Sequence, residues 1–172
     1  MDFCKEIFCA AINTTKYRHV FIFSVLKSVR DDADFLIIDI SMRITYYFFT
    51  MYELMVESKF AAAHQLRGYQ GKCEKLHGHN WRVTVAVTAE RLDEQGLAVD
   101  FHDLKKSLRE VLDQLEHTFL NDIFPFTQIN PSSENLAKWI YDNLAKKIND
   151  DNLEVASVTV WESDTASASY FE

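Results

Sequence analysis

The sequence predicts an α+β fold, on three observations. Two segments with strand character open residues 52–89, two segments of helical period follow over 103–148, and alternation returns after Val155. The order β-β-α-α-β-β groups strands around helices, which favours an antiparallel sheet with helices on one face.

Each element has its own warrant. Tyr52–Ala63 starts with β-branched and aromatic residues and ends in small ones, so it reads as a strand, followed by a glycine-containing loop over Arg67–Lys75. Trp81–Ala89 alternates, with Trp81, Val83, Val85, Val87 and Ala89 on one face and Arg82, Thr84, Ala86 and Thr88 on the other. A period of two marks a half-buried strand, and the two strands are expected to pair antiparallel. In Asp103–Leu120 the apolar residues Leu104, Leu108, Leu112, Leu115 and Phe119 recur at helical spacing, with Lys105, Lys106, Arg109 and Glu110 on the solvent side. Pro131-Ser132-Ser133-Glu134 opens a second helix: a serine can cap the free amides, and Glu134 suits the positive end. Leu136, Trp139, Ile140, Leu144 and Ile148 form its apolar stripe, and Asn149–Asn152 ends it. Val155–Glu162 and Ala166–Phe171 supply the last two strands. A four-stranded sheet with two free edges favours closure by oligomerisation.

The 172 residues fall into two kinds of sequence that meet near Met51. Residues 1–50 hold ten of the 23 aromatics, no glycine or proline, and equal numbers of acids and bases, so the net charge of -8 resides in residues 51–172. Three readings of residues 1–50 stand: an added helix–strand layer, an amphipathic surface segment, or a start set too far upstream, with Met51 and Met55 as candidate starts. The apolar runs Val20–Phe23, Phe35–Ile38 and Tyr46–Phe49 are far shorter than the ~20 residues that cross a bilayer. No secretory pattern is present either, which predicts a cytoplasmic protein. Residues 51–172 form the functional domain on this reading.

Net negative charge argues against nucleic acid or an anionic membrane as the main partner. It leaves room for a local basic pocket that takes a phosphorylated small molecule. Three cysteines support no disulfide framework, and only Cys73 lies in the organised part.

The chemistry concentrates in Ala63-His64-Gln65-Leu66 and Gly71-Lys72-Cys73-Glu74-Lys75-Leu76-His77-Gly78-His79-Asn80. His77 and His79 are two apart, so on a strand they face the same way, and His64 ends the neighbouring strand. Three neutral imidazoles suit Zn²⁺, with a fourth position left to water or substrate in a catalytic site. A lone histidine would read as an ordinary surface or core-capping residue; three at this spacing beside a cysteine point to a metal. Cys73 has two readings. It is the fourth ligand of a closed structural site, or it is a free thiolate that acts as base or nucleophile, with its pKa lowered by Lys72 and the metal.

His117 follows Glu116 near the end of the first long helix. It is either an electrostatic cap or a general acid/base tuned by the carboxylate. Glu162 ends an apolar strand, either as an ordinary surface acid or as a carboxylate that grips an N–C–N edge with two parallel hydrogen bonds. His102, between Asp100 and Asp103, reads as a helix cap, and His19 gets no role.

These residues, read together, carry a resemblance. Phe60-x-Ala62-Ala63-His64, Cys73-x₃-His77-Gly78-His79-Asn80, Asp100-Phe101, Glu116-His117-x₂-Leu120-Asn121, Pro131-x-Ser133-Glu134-x-Leu136-Ala137 and Glu162 occur in order across about residues 52–172. The set resembles the 6-pyruvoyl-tetrahydropterin synthase / 6-carboxy-tetrahydropterin synthase family, and the Cys-x₃-His-Gly-His spacing is similar to the carboxy branch of queuosine biosynthesis. The resemblance implies a tunnelling fold whose subunits close into a barrel, commonly a homohexamer. It implies one Zn²⁺ per subunit on His64, His77 and His79, with Cys73 and His117 catalytic. Glu162 would anchor the pterin, and Ser132 and Ser133 would lie near its pocket. The implied reaction takes 7,8-dihydroneopterin triphosphate to 6-carboxy-5,6,7,8-tetrahydropterin, acetaldehyde and triphosphate. The family usually has Asp-His where this chain has Glu116-His117, which puts Glu116's part as orienter in question. Two alternatives are carried forward: 6-pyruvoyl-tetrahydropterin synthase activity, and a non-catalytic zinc-stabilised binding module.

Overall fold

The computed structural model describes Lys5–Thr14, Tyr17–Leu26, Asp39–Tyr46 and residues 51–172. The chain divides into two units, Met1–Thr50 and Met51–Glu172. In the first, β1 (Lys5–Thr14), β2 (Tyr17–Leu26) and β3 (Asp39–Tyr46) form an antiparallel sheet in the order β1-β2-β3. Lys5 stands opposite Leu26 and Thr14 opposite Tyr17, while β2 pairs with β3 from His19–Tyr46 to Leu26–Asp39. Among the described residues of this unit there are strands and no helix. The apolar run Phe35–Ile38 and Cys4 lie outside the described residues.

The second unit has four strands: β4 (Tyr52–His64), β5 (His77–Ala89), β6 (Leu153–Ser163) and β7 (Ala166–Tyr170). They form one antiparallel sheet in sequence order, with α1 (Phe101–Leu112) and α2 (Ser133–Ile148) between β5 and β6. Alternation along β4 and β5 gives the sheet one apolar face, so that Val56 meets Val85 and Phe60 meets Trp81 across the pair. The Phe60 and Trp81 rings stack with centroids 6.0 Å apart. Leu104, Leu108 and Leu112 of α1, and Leu136, Ile140 and Leu144 of α2, join this face in a single core. Each such leucine, taken fully out of water, contributes about 2 kcal/mol. Trp139 and Ile148, expected in the α2 stripe, are half-buried at the core's margin.

The helix starts follow local chemistry. Asp100 caps α1, its Oδ1 accepting the His102 amide at 2.7 Å. The histidine expected to cap this helix is therefore the capped residue, and its side chain is exposed. Ser132 caps α2 by accepting the Asn135 amide at 3.4 Å.

The end of α1 departs from the expectation of a helix through Leu120. It stops at Leu112, and tighter bonds follow, from the Gln114 amide to the Val111 carbonyl and from Leu115 to Leu112. His117 then takes a left-handed backbone with φ 55°. Leu115 and Leu120 stay buried, so the apolar period outlives the helix that it first suggested. Beyond this reversal the chain runs along the β4 edge, where the His117 amide donates to the Ala61 carbonyl at 2.7 Å and the Ala63 amide to the Thr118 carbonyl at 3.0 Å.

Among the described residues no helix is long and apolar enough to cross a membrane.

Candidate metal centre and its neighbours

The register of β4 on β5 assembles the histidines. His64 pairs with His77 and Ala62 with His79, so all three imidazoles project from the face that carries Phe60 and Trp81. Glu162 joins them from β6. Its neighbours Trp161 and Ser163 pair with Ser167 and Ala166, and the ladder shifts register between them. A bulge of this kind re-aims a side chain, and here it brings the carboxylate to the histidines. One ligating atom from each of His64, His77, His79 and Glu162 lies within 4.8 Å of the others.

Backbone carbonyls fix two of the rings. The Nδ1–H of His64 donates to the Pro131 carbonyl at 2.8 Å, and that of His77 to the Lys75 carbonyl at 2.6 Å. A carbonyl only accepts, so each Nδ1 holds the proton and each neutral ring presents a bare Nε2. The two Nε2 atoms face one another at 3.0 Å. Two lone pairs at that distance repel unless a proton or a cation sits between them.

His79 Nε2 lies 3.1 Å from Glu162 Oε1, buried and without hydrogen-bond geometry to any group. Burial holds His64 and His79 below the usual histidine range and outweighs the nearby Glu162 carboxylate. Neutral rings with converging lone pairs and one carboxylate are a donor set that fits Zn²⁺. Ordering Nδ1 by a backbone carbonyl is the arrangement that presents Nε2 to a metal.

The other expected residues occupy defined places. Ser133 Oγ donates to Glu162 Oε2 at 3.3 Å. Ser132 commits its oxygen to the cap of α2. Cys73 is a free, half-buried thiol on the 3₁₀ turn Lys72–Glu74, where its carbonyl accepts the Leu66 amide at 2.9 Å. Its sulfur is not a member of the metal-ligating group found among the described residues, where the fourth member is Glu162.

His117 is exposed, and its Nε2 lies 3.4 Å from Glu116 Oε1. An open pocket of about 410 Å³ is lined by Ala61–Ala63, Gly78, His79, Asn80, His117 and Thr118. His79 and His117 are both among the residues that line it. Glu116 accepts from the Ala61 amide at 3.2 Å and from Arg109 at 2.8 Å. The Ala61 amide, then Arg109, hold its carboxyl below the usual range.

Several supporting residues carry no role in the sequence analysis. Asn121 is buried and closes on Gln65, next to His64: its Oδ1 accepts the Gln65 amide at 3.0 Å and its Nδ2 donates to the Gln65 carbonyl at 2.9 Å. Pro131 and Lys75 act through carbonyls, which leave no trace in side-chain identity. Arg109 appears in the sequence only as one of four charges on a solvent face.

A four-stranded antiparallel sheet, two helices on one face and a three-histidine, one-carboxylate cluster that could hold a metal ion define an α+β protein with a candidate metal centre on its sheet. The comparisons make this specific. The profile described as 6-pyruvoyl tetrahydropterin synthase matches residues 53–172, and the chain belongs to that family. A 6-carboxy-5,6,7,8-tetrahydropterin synthase from Synechocystis sp. is 38% identical over 126 residues, which cover 70% of this chain and 94% of the relative. A dihydroneopterin monophosphate aldolase from Pyrococcus furiosus is 32% identical over 109 residues, covering 63% of this chain and 88% of the relative. Among solved structures, that of Caenorhabditis elegans 6-pyruvoyl tetrahydropterin synthase superposes with a TM-score of 0.64 at 25% identity. It covers 72% of this chain and 97% of the other. The subunit has the tunnelling fold expected from the resemblance.

Proposed function

We propose that this chain is a zinc-dependent 6-carboxy-5,6,7,8-tetrahydropterin synthase of queuosine (7-deazaguanine) biosynthesis. Its substrate would be 7,8-dihydroneopterin triphosphate, which with water yields 6-carboxy-5,6,7,8-tetrahydropterin, acetaldehyde and triphosphate. The observation that carries the reading is the facing pair of bare Nε2 atoms of His64 and His77, 3.0 Å apart, with His79 and Glu162 beside them. That the relatives are a tetrahydropterin synthase and a dihydroneopterin monophosphate aldolase supports a pterin substrate.

His64, His77 and His79 would hold Zn²⁺, which when bound supplies a Lewis acid for hydroxyl and carbonyl oxygens. Cys73 removes a proton beside the pterin ring. His117, whose ring stands 3.4 Å from Glu116, returns or relays a proton. Glu162, directed by the bulge in β6 and held by Ser133, receives the N–C–N edge of the pterin through paired hydrogen bonds. Ser133 thus acts on the pterin through Glu162, whereas Ser132 serves the helix cap. The edge strands β7 and β4, the latter outside the Lys59–Ala63 stretch that bonds to Arg109 and the reversal, fit closure into a barrel on oligomerisation, as a homohexamer, in the cytoplasm. No nucleic acid or membrane partner enters this reading.

The deciding experiment incubates the zinc-loaded protein with dihydroneopterin triphosphate, and in parallel the monophosphate, followed by mass analysis of the pterin. A carboxypterin with acetaldehyde supports the proposal. A retained three-carbon side chain moves the chain to the pyruvoyl branch. No turnover with zinc still bound leaves a zinc-stabilised binding module. Light scattering tests the hexamer.

A further inference from the structure

The reversal after α1 contains the one non-glycine residue with a left-handed backbone among the described residues, and that residue is His117. Such a conformation costs energy in a residue with a Cβ and persists only where its surroundings over-determine it. Two backbone bonds to β4 fasten the segment, one at His117 itself and one at Thr118. A third attachment is made by side chains. Glu116 Oε1 accepts the Ala61 amide, and Glu116 Oε2 accepts Arg109 Nη2 at 2.8 Å. From the same guanidinium, Nη1 donates to the Lys59 carbonyl at 3.1 Å, and Nε pairs with Asp113 Oδ1 at 2.6 Å.

Arg109 therefore joins three parts of the chain: the last turn of α1, the β4 edge and the reversal. An exposed ion pair contributes little, but a planar fork with acceptors on three elements fixes geometry. Lysine, a point charge on a flexible stem, cannot reproduce it. Glu116 has the length to bridge from the reversal to both Ala61 and Arg109 while staying 3.4 Å from the His117 ring.

We propose that Arg109 is a positioning residue for His117: it latches Glu116 to the β4 edge and so holds the left-handed reversal that presents the imidazole to the pocket. This rests on the reading of His117 as the proton relay.

The test compares R109A and R109K with wild type in the full-length, zinc-loaded protein, well below its unfolding temperature. In R109A, kcat should fall about 10- to 100-fold, as for other small misplacements of reacting groups. KM should stay within about threefold and metal content should be unchanged. Millimolar guanidinium should restore part of the R109A rate, and R109K should remain impaired. The amide protons of Ala61, Ala63 and His117 should exchange faster in R109A, while those of β5 should not. A kcat within about twofold of wild type overturns the proposal, as does a loss of rate matched by loss of zinc. Failure of wild type itself to turn over the pterin would refute the function instead; exchange would still test the latch, and unchanged exchange at these three amides would refute it.

Discussion

Asn121→Ala puts a measurable number on the support of the candidate metal site. Asn121 closes two hydrogen bonds on the backbone of Gln65, and Asn130 closes the same two on Arg67, at 2.8 and 3.0 Å. The pairs differ in burial: Asn121 is 5% exposed, whereas the Asn130 bonds are open to water. Truncating Asn121 strands a donor and an acceptor that solvent reaches only in part, at about 1–3 kcal/mol for each unsatisfied group. The loss should be about 3 kcal/mol, or a fall in Tm of about 10 °C for a unit of this size. Asn130→Ala, with water as the replacement partner, should lose about 0.5–1 kcal/mol. Because Gln65 adjoins His64, Asn121→Ala should also weaken zinc binding by about tenfold or more. Thermal unfolding of both metal-free variants and a competitive zinc titration provide the measurements. Equal losses for the two variants, or unchanged zinc affinity in Asn121→Ala, would refute the argument from burial.

Three further outcomes are expected. Cys73→Ala should retain zinc and lose turnover; an active, zinc-loaded variant would remove Cys73 from the mechanism. Folding of the metal-free protein should weaken as pH falls below about 6.5. His64 and His79 have lowered folded-state pKa values, so the unfolded chain binds more protons in that window and stability rises with pH through it; a flat stability between pH 5 and 7 would contradict the burial of these rings. A chain that begins at Met51 keeps every residue of the site, so it should match the full chain in zinc content and rate. Loss of folding on that truncation would assign residues 1–50 a structural part.

The legible portion of the site was the portion encoded locally. Histidines 77 and 79 share a face because strands alternate, and that holds before any tertiary contact forms. The same period delivered β4, β5 and their shared core face, and capping chemistry placed the start of α2. The end of α1 was not legible. Leu115 and Leu120 continue an apolar period that records only burial, and a tight turn packed on the core satisfies it as well as a helix does.

The sequence by itself determined the sheet-and-helix order, the imidazole cluster and the family, since each rests on residue identity at short spacing. Tertiary structure decided what those residues are attached to. Glu162 reaches the cluster through a bulge on the third strand of the sheet, 83 positions beyond His79 in the sequence. Pro131 sets the tautomer of His64 with a carbonyl, and Arg109 holds Glu116 against β4 from a face that looked merely solvated. The physical reason is common to all three. A hydrogen bond between distant segments depends on register and on backbone groups that every residue carries, so residue identity cannot announce it until the sheet has brought the two ends together.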